Sequence, residues 1–391
     1  MNFFTEARSL LKVNIRDYGM YIALFVIMLT FSILTDGLFM SSRNISNLLD
    51  ATGYIAVLAV GMTLVIVIRH IDLSVGFAAG FMGAIAAIML SQMGVPFYLT
   101  IPIILVLGIV IGMFNGVLVA SIGIPSFVSS LAAMLIFRGA LLQVTEKTGT
   151  IIVKDDQFNA IGNGYLPALG QVGGLNLLSL IIGVFIILFF VYSELSKRKQ
   201  KLKYKFEVIS KQIFAVKLIF VSVIIGYITW ILAGYNGFSW TVVITLAVVI
   251  IYHFLTTRTV LGRHIYAVGS NPEAAHLSGI NVKKITYIVF GSMGMLSALS
   301  GILYTSRLQS ATTTAGTLFE LDAIAAAYVG GVSAAGGVGK ITGSIIGAVV
   351  MASLSSGMNL LGVGISYQYM IRGAVLALAV IFDVMTRRKR G

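Results

Sequence analysis

Residues 329–344, VGGVSAAGGVGKITGS, combine clustered glycines with a lysine and a threonine, the materials of a phosphate-binding loop. Such a loop needs G-x-x-x-x-G-K-[ST], so that backbone N–H groups wrap the phosphates and a hydroxyl follows the lysine onto Mg²⁺. Here Ile341 follows Lys340, and Ala334 stands where the first glycine belongs. The dinucleotide pattern G-x-G-x-x-G also fails, because Thr342 takes the third glycine's place after Gly337 and Gly339. The spacing encodes no nucleotide site.

Other chemistry is equally sparse. With no cysteine, thiolate catalysis and disulfides are out, and histidines scattered at 70, 253, 264 and 276 do not make a metal site. The ionisable residues that stand out lie at membrane depth. IRHIDLSVG (68–76) brings together Arg69, His70, Asp72 and Ser74; Arg138 and Arg372 interrupt apolar runs; Glu320 and Asp322 sit in FELDAIAA. A carboxylate at mid-bilayer costs about 3 kcal/mol on insertion scales, so it pairs or lines a path. Two readings stand for Asp72: a cap on the helix that follows, with Arg69 as its ion partner, or a gate. Arg138 either snorkels or pairs with Glu320 or Asp322, and Arg372 is a similar case. Asp72, Ser74, Arg138, Glu320 and Asp322 are the candidate pathway or gate residues. They form no chain of carboxylates and histidines for a proton-driven pump, and no nucleophile–base pair for a membrane-embedded enzyme.

The elements that must carry these residues follow from composition. The chain is 58% hydrophobic and 10% charged, with mean hydropathy +0.98, whereas soluble domains carry about 25% charged residues. Apolar blocks long enough for a bilayer of roughly 30 Å fall near 18–35, 51–68, 73–90, 97–120, 127–144, 175–192, 214–233, 238–254, 285–304, 323–338, 341–361 and 365–382. The expectation is an all-α, polytopic transmembrane bundle, one domain over 1–391, with ten to twelve spans. The short Gly- and Ala-rich block at 323–338 reads either as a crossing span or as a half-helix that enters and turns back, which is why the count runs from ten to twelve. The first block, preceded by Arg8, Lys12 and Arg16, is too long for a cleaved signal and reads as a retained span.

Net charge of +13 raises the question of nucleic acid, but its distribution gives a different answer. With the N-terminus inside and all blocks crossing, 21 of the 27 lysines and arginines fall on the inner side. The positive-inside rule then places both termini in the cytoplasm. The basic stretch 194–212 becomes a cytoplasmic loop beside anionic lipid.

The glycines now have a use. Lipid gives helices no hydrophobic drive to associate, so close approach of small faces must supply it. Gly339, Gly343 and Gly347 recur every four residues, as do Gly108, Gly112 and Gly116, and Gly76 and Gly80 begin a third such stripe. They are expected to be helix-packing residues, with the opening stretch acting as a packing and hinge element.

The stretch GRHIYAVGSNPEAAHLSGINVKK (262–284) lies in the cytoplasmic loop 257–284. Asn271 suits a helix N-cap, Pro272 the first helical position, Glu273 the positive helix start and Gly279 the stop. This predicts a two-turn helix with Ala274, Ala275 and Leu277 as a small apolar face. So short a helix is marginal alone and must pack on something.

Glu273-Ala274-Ala275 followed by Gly279 resembles the E-A-A-x-x-x-G loop of bacterial ABC-importer permeases. IDLSVG (71–76), GIPSFVSSLAAMLIFRG (123–139), SRLQSA (306–311) and ELDAIAAAYVGGVSAAGGVG (320–339) extend the resemblance to the monosaccharide branch, the ribose, xylose and galactose permeases. Length and the basic insertion are most similar to xylose or multiple-monosaccharide members. The resemblance implies a non-enzymatic subunit of an ATP-driven importer in the bacterial inner membrane, without cofactor. Its expected partners are a cytoplasmic ATP-binding subunit, a periplasmic or lipid-anchored sugar-binding protein, a second permease copy, and membrane lipid. Asn271, Pro272, Glu273, Ala274, Ala275 and Gly279 would then couple to the ATPase. A different cargo (a branched-chain amino acid or a nucleoside) and a stand-alone secondary transporter remain as rival readings.

Overall fold

A computed structural model describes residues 15–146, 149–206, 208 and 210–388. Arg8, Lys12, Lys147, Lys389 and Arg390 lie outside the described residues. Among the described residues, nine helices are long and apolar enough to cross a membrane. They are α2 (Ser42–Val67), α4 (Phe97–Val117, prolonged by a wider turn to Ile122), α5 (Ser126–Thr145), α7 (Leu177–Lys203), α8 (Lys211–Ala233), α9 (Trp240–Arg258), α12 (Val282–Leu308), α14 (Ile341–Leu360) and α15 (Ile365–Arg388). Shorter apolar helices are α1 (Ile15–Leu34) and α3 (Val75–Ser91). An all-helical bundle is what lipid demands, because a helix satisfies its backbone N–H and C=O groups internally. Helix starts are set locally: the side chains of Ser41, Asn176, Ser210, Ser239 and Asn281 each accept a first-turn N–H.

Two helices form the centre. The apolar window of α2 is 89% buried and that of α12 is 72%, against 11% for α7 and 17% for α8. Glycine stripes bring the neighbours in. A Cβ on Gly108 would meet the Gly294 carbonyl, one on Gly112 the Phe290 carbonyl, and Gly116 faces Tyr287 and Phe290, so α4 lies backbone to backbone on α12. Gly76 and Gly80 fit in the same way against Gly316 and Ala315.

The tenth crossing differs from the expected 323–338. Strand β4 (Ser310–Thr312) pairs antiparallel with β1 (Thr150–Ile152), fixing 310–312 at the end of the bundle where α5 and α12 finish. Gly316 and Leu318 take left-handed φ of 82° and 65°, and α13 (Phe319–Val329) starts only after them. The glycines at 330 and 331, the latter at φ 86°, then stop it. The loop beyond reaches the opposite end, where the Gly337 N–H donates to the Val67 carbonyl at 2.8 Å. The segment therefore crosses as an extended entry plus a half-length helix and does not turn back. Because α14 begins at Ile341, Gly339 lies in the loop, off the helical stripe; Gly343 and Gly347 do pack on the Gly330 and Ala326 backbone of α13.

Two further differences concern connections. α7 continues to Lys203, so the basic stretch 194–212 is helical over its first half, with Glu194 bridging Lys197 (3.0 Å) and Lys217 (2.5 Å). The connection after α5 is also structured, holding β1, a short helix α6 (Asp156–Asn163) and the hairpin of β2 (Gln171–Val172) and β3 (Leu175–Asn176).

Candidate functional site

At one end of the bundle, α10 (Val260–Ser270) leads into the short helix α11 (Pro272–Leu277). The extended Asn271 turns its Oδ1 onto the N–H groups of Glu273 and Ala274, both at 3.0 Å, and Pro272 fills the first position, where no donor is needed. Gly279 at φ 83° ends the turn, and Asn281 at once caps α12. α11 is thus a closed unit between two rigid helices. Ala275 faces inward at 4% exposure, whereas Leu277 is 87% exposed. The apolar face expected from Ala274, Ala275 and Leu277 is therefore split: Ala275 belongs to the protein's own core, and Ala274 and Leu277 face outward.

α11 is bolted to the bundle from behind. Arg69, in the left-handed region at φ 67°, donates from Nε to the Gly269 carbonyl at 2.7 Å and from Nη2 to the Ser270 carbonyl. The Tyr266 hydroxyl donates to the Gly339 carbonyl at 2.6 Å, and burial pushes its phenol above the usual range, keeping the donor protonated. The 331–340 loop is held from its other side by Asp383, which accepts from the Ser333 hydroxyl at 3.0 Å. His70 lies tilted against Phe290, with ring centres 5.8 Å apart.

Arg69 therefore does not pair with Asp72. The Asp72 carboxylate accepts from the Ser74 N–H (2.9 Å) and hydroxyl (2.6 Å) at the start of α3, and Asn115 of α4 donates to the Ser74 Oγ at 3.1 Å. Arg138 does not reach either carboxylate proposed for it. Its guanidinium lies 5.6 Å from the centre of the Phe77 ring, while Asp322 pairs with Arg372 at 3.3 Å. Glu320 is buried against Gly76 with Oε2 lacking a protein partner. Asp72–Ser74 and Asp322 thus lie in separate clusters. Among the described residues, no group of His, Asp and Glu is arranged to hold a metal.

At the other end, between α2, α14 and α15, a cavity of about 450 Å³ opens. Amides and hydroxyls of Asn44, Asn47, Tyr54, Ser355, Ser356 and Asn359 line it. Asp322 and Arg372 form one wall, Arg372 also donating to the Ser355 Oγ at 2.7 Å. Arg307 forms another, 3.8 Å from Asp50, whose carboxylate also accepts a hydrogen bond from the Ser239 hydroxyl. Of this set only Asp322 and Arg372 stood out in the sequence. The signal for the rest was present in SSGMN (355–359), a polar cluster inside an apolar span, and in the i, i+3 pair Asn44 and Asn47. α13 joins the two sites, with Asp322 in its first turn and its following loop clamped behind α11.

The family model for the branched-chain amino acid transport system / permease component matches residues 44–195 and 174–380. The chain is 40% identical over 382 residues to the xylose transport system permease protein of Haemophilus influenzae, covering 97% of this chain and 99% of that one. Identity to the xylose transport system permease protein of Escherichia coli K12 is 39% over 381 residues, 97% of this chain and 95% of that one. The ribose import permease protein of Haemophilus influenzae is 34% identical over 366 residues, 93% of this chain and 91% of that one. No solved structure matches the chain.

Proposed function

The chain belongs to the importer permease family that includes the xylose and ribose permeases, and on that premise we propose that it forms the membrane path for a monosaccharide, a pentose such as xylose. It is a multi-pass inner-membrane transporter subunit and not an enzyme; an ATP-binding subunit and a substrate-binding protein complete the system. In our reading the binding protein is periplasmic or lipid-anchored, two copies of this chain make the path, both termini are cytoplasmic, and the basic end of α7 lies beside anionic lipid.

The observation that carries the reading is α11. A six-residue helix too short to be stable alone is capped and braced from behind, yet holds Leu277 87% exposed. That is the form of a docking knob. Asn271, Pro272, Glu273, Ala274, Ala275 and Gly279 build it, and closure of the ATP-binding subunits moves it. Arg69 and the 331–340 loop pass the displacement to α13, whose far end carries Asp322. The deciding experiment is uptake into proteoliposomes holding this chain, its ATP-binding subunit and ATP, with labelled xylose delivered by the binding protein. Uptake that needs both partners is expected. Uptake driven by an ion gradient without them would overturn the reading, and uptake of a branched-chain amino acid instead would overturn the cargo.

A further inference from the structure

We infer that the cavity between α2, α14 and α15 is a solute-binding station in the permease itself, built for a neutral polyhydroxylated molecule of monosaccharide size. The inference rests on the proposed sugar cargo and adds to it a defined stopping place.

Three features of the lining carry it. First, a volume of about 450 Å³ lies in the range of small-ligand sites, roughly 300–1,000 Å³. Second, the polar groups are of the kind that sugar hydroxyls need. Ser356 donates to the Asn44 Oδ1 at 3.0 Å and Gln368 to the Asn359 Oδ1 at 2.8 Å, which fixes the rim, and the Asn47 amide and Tyr54 hydroxyl supply donors and acceptors for a solute. Third, the charges are already matched. Asp322 is committed to Arg372 at 3.3 Å and Arg307 to Asp50 at 3.8 Å, so no guanidinium is left over to select an anion and no carboxylate to select a cation. A neutral solute can sit beside these pairs without breaking them.

The chain has no cysteine, so single reporters are unambiguous. S356C and N359C, each assembled with the ATP-binding subunit in nanodiscs, are labelled with a maleimide while D-xylose is titrated. Sugar at about ten times its Kd should slow labelling about tenfold, because only the empty cavity reacts. M93C, on a residue that is 66% exposed and outside the lining, should label at an unchanged rate. Uptake is measured in parallel on the unmodified chain. Normal xylose uptake with no protection of either reporter overturns the station and leaves the importer reading standing. Protection by an anionic sugar acid in preference to neutral sugars overturns the solute class. Absence of uptake for any neutral sugar overturns the proposed sugar cargo, and the station falls with it.

Discussion

The Nε of Arg69 donates to the carbonyl of Gly269 at 2.7 Å, tying the connection after α2 to the last turn before α11. Hydrogen bonds from a charged donor contribute about 1.5–3 kcal/mol, and this one is made at the cost of holding a side-chain-bearing residue at φ 67°, roughly 1–2 kcal/mol. Arg69→Gly removes both terms together. Because the Nη2 bond to the Ser270 carbonyl is lost as well, its thermal unfolding should fall modestly below that of the parent, while sugar moved per ATP hydrolysed falls about tenfold, equivalent to roughly 1.4 kcal/mol of lost coupling. Arg69→Lys, which cannot span two carbonyls with a fixed fork, should fall between. An unchanged coupling ratio in Arg69→Gly would show that the clamp transmits nothing.

A second prediction concerns backbone contact. A Cβ on Gly112 would collide with the Phe290 carbonyl and lie 3.0 Å from the Gly294 Cα and N. None of these atoms can step aside unless α4 and α12 separate. Gly112→Ala should therefore cost about 1–3 kcal/mol, seen as a lower unfolding temperature in detergent. Gly139→Ala, with nothing within 4 Å of the added carbon, should be neutral or gain up to about 1 kcal/mol from helix propensity. Equal behaviour of the two variants would contradict the packing role.

The ion pair of Asp322 and Arg372 lends itself to a double-mutant cycle. Both side chains keep about a quarter of their surface, 22% and 24%, so losing one partner should cost about 2 kcal/mol, less than the roughly 3–5 kcal/mol of a fully buried pair. Arg372→Met and Asp322→Asn should each destabilise, and the double variant should recover most of the loss. Strictly additive penalties in thermal unfolding would mean that the pair is not coupled.

What the sequence made legible follows from range. The docking helix is encoded within nine residues, each acting on its near neighbours, so Asn271, Pro272 and Gly279 could be read in place. The spans were legible because bilayer thickness sets their length. The tenth crossing was not, because its extended entry is fixed by β1, more than 150 residues earlier, and by close contact with Gly76 and Gly80. Apolar composition alone could not distinguish that entry from a helix. Partners of membrane-depth charges were illegible for the same reason. Glu320, Asp322 and Arg138 are all strong signals, yet nothing local indicates that Asp322 chooses Arg372 and that Arg138 settles over Phe77. The cavity was divided among polar residues on several helices, none remarkable alone.

Leu277 offers the sharpest test of how the chain is driven. At 87% exposure it contributes little to the fold, so Leu277→Asp should insert, unfold and expose its termini as the parent does. If α11 seats in an apolar groove of the ATP-binding subunit, the variant places a charge where a leucine was desolvated, a loss of about 2 kcal/mol or more at an interface anchor. Co-purification with that subunit should then weaken at least about tenfold, and stimulation of ATP hydrolysis by the loaded binding protein should disappear. Asn271→Ala acts on the same unit differently, by removing a cap that contributes about 0.5–2 kcal/mol to the helix. It should weaken assembly less, since docking can reform the helix that the missing cap lets fray. The order matters: a surface contact predicts that Leu277→Asp is the more damaging, whereas a purely structural role for α11 predicts the reverse.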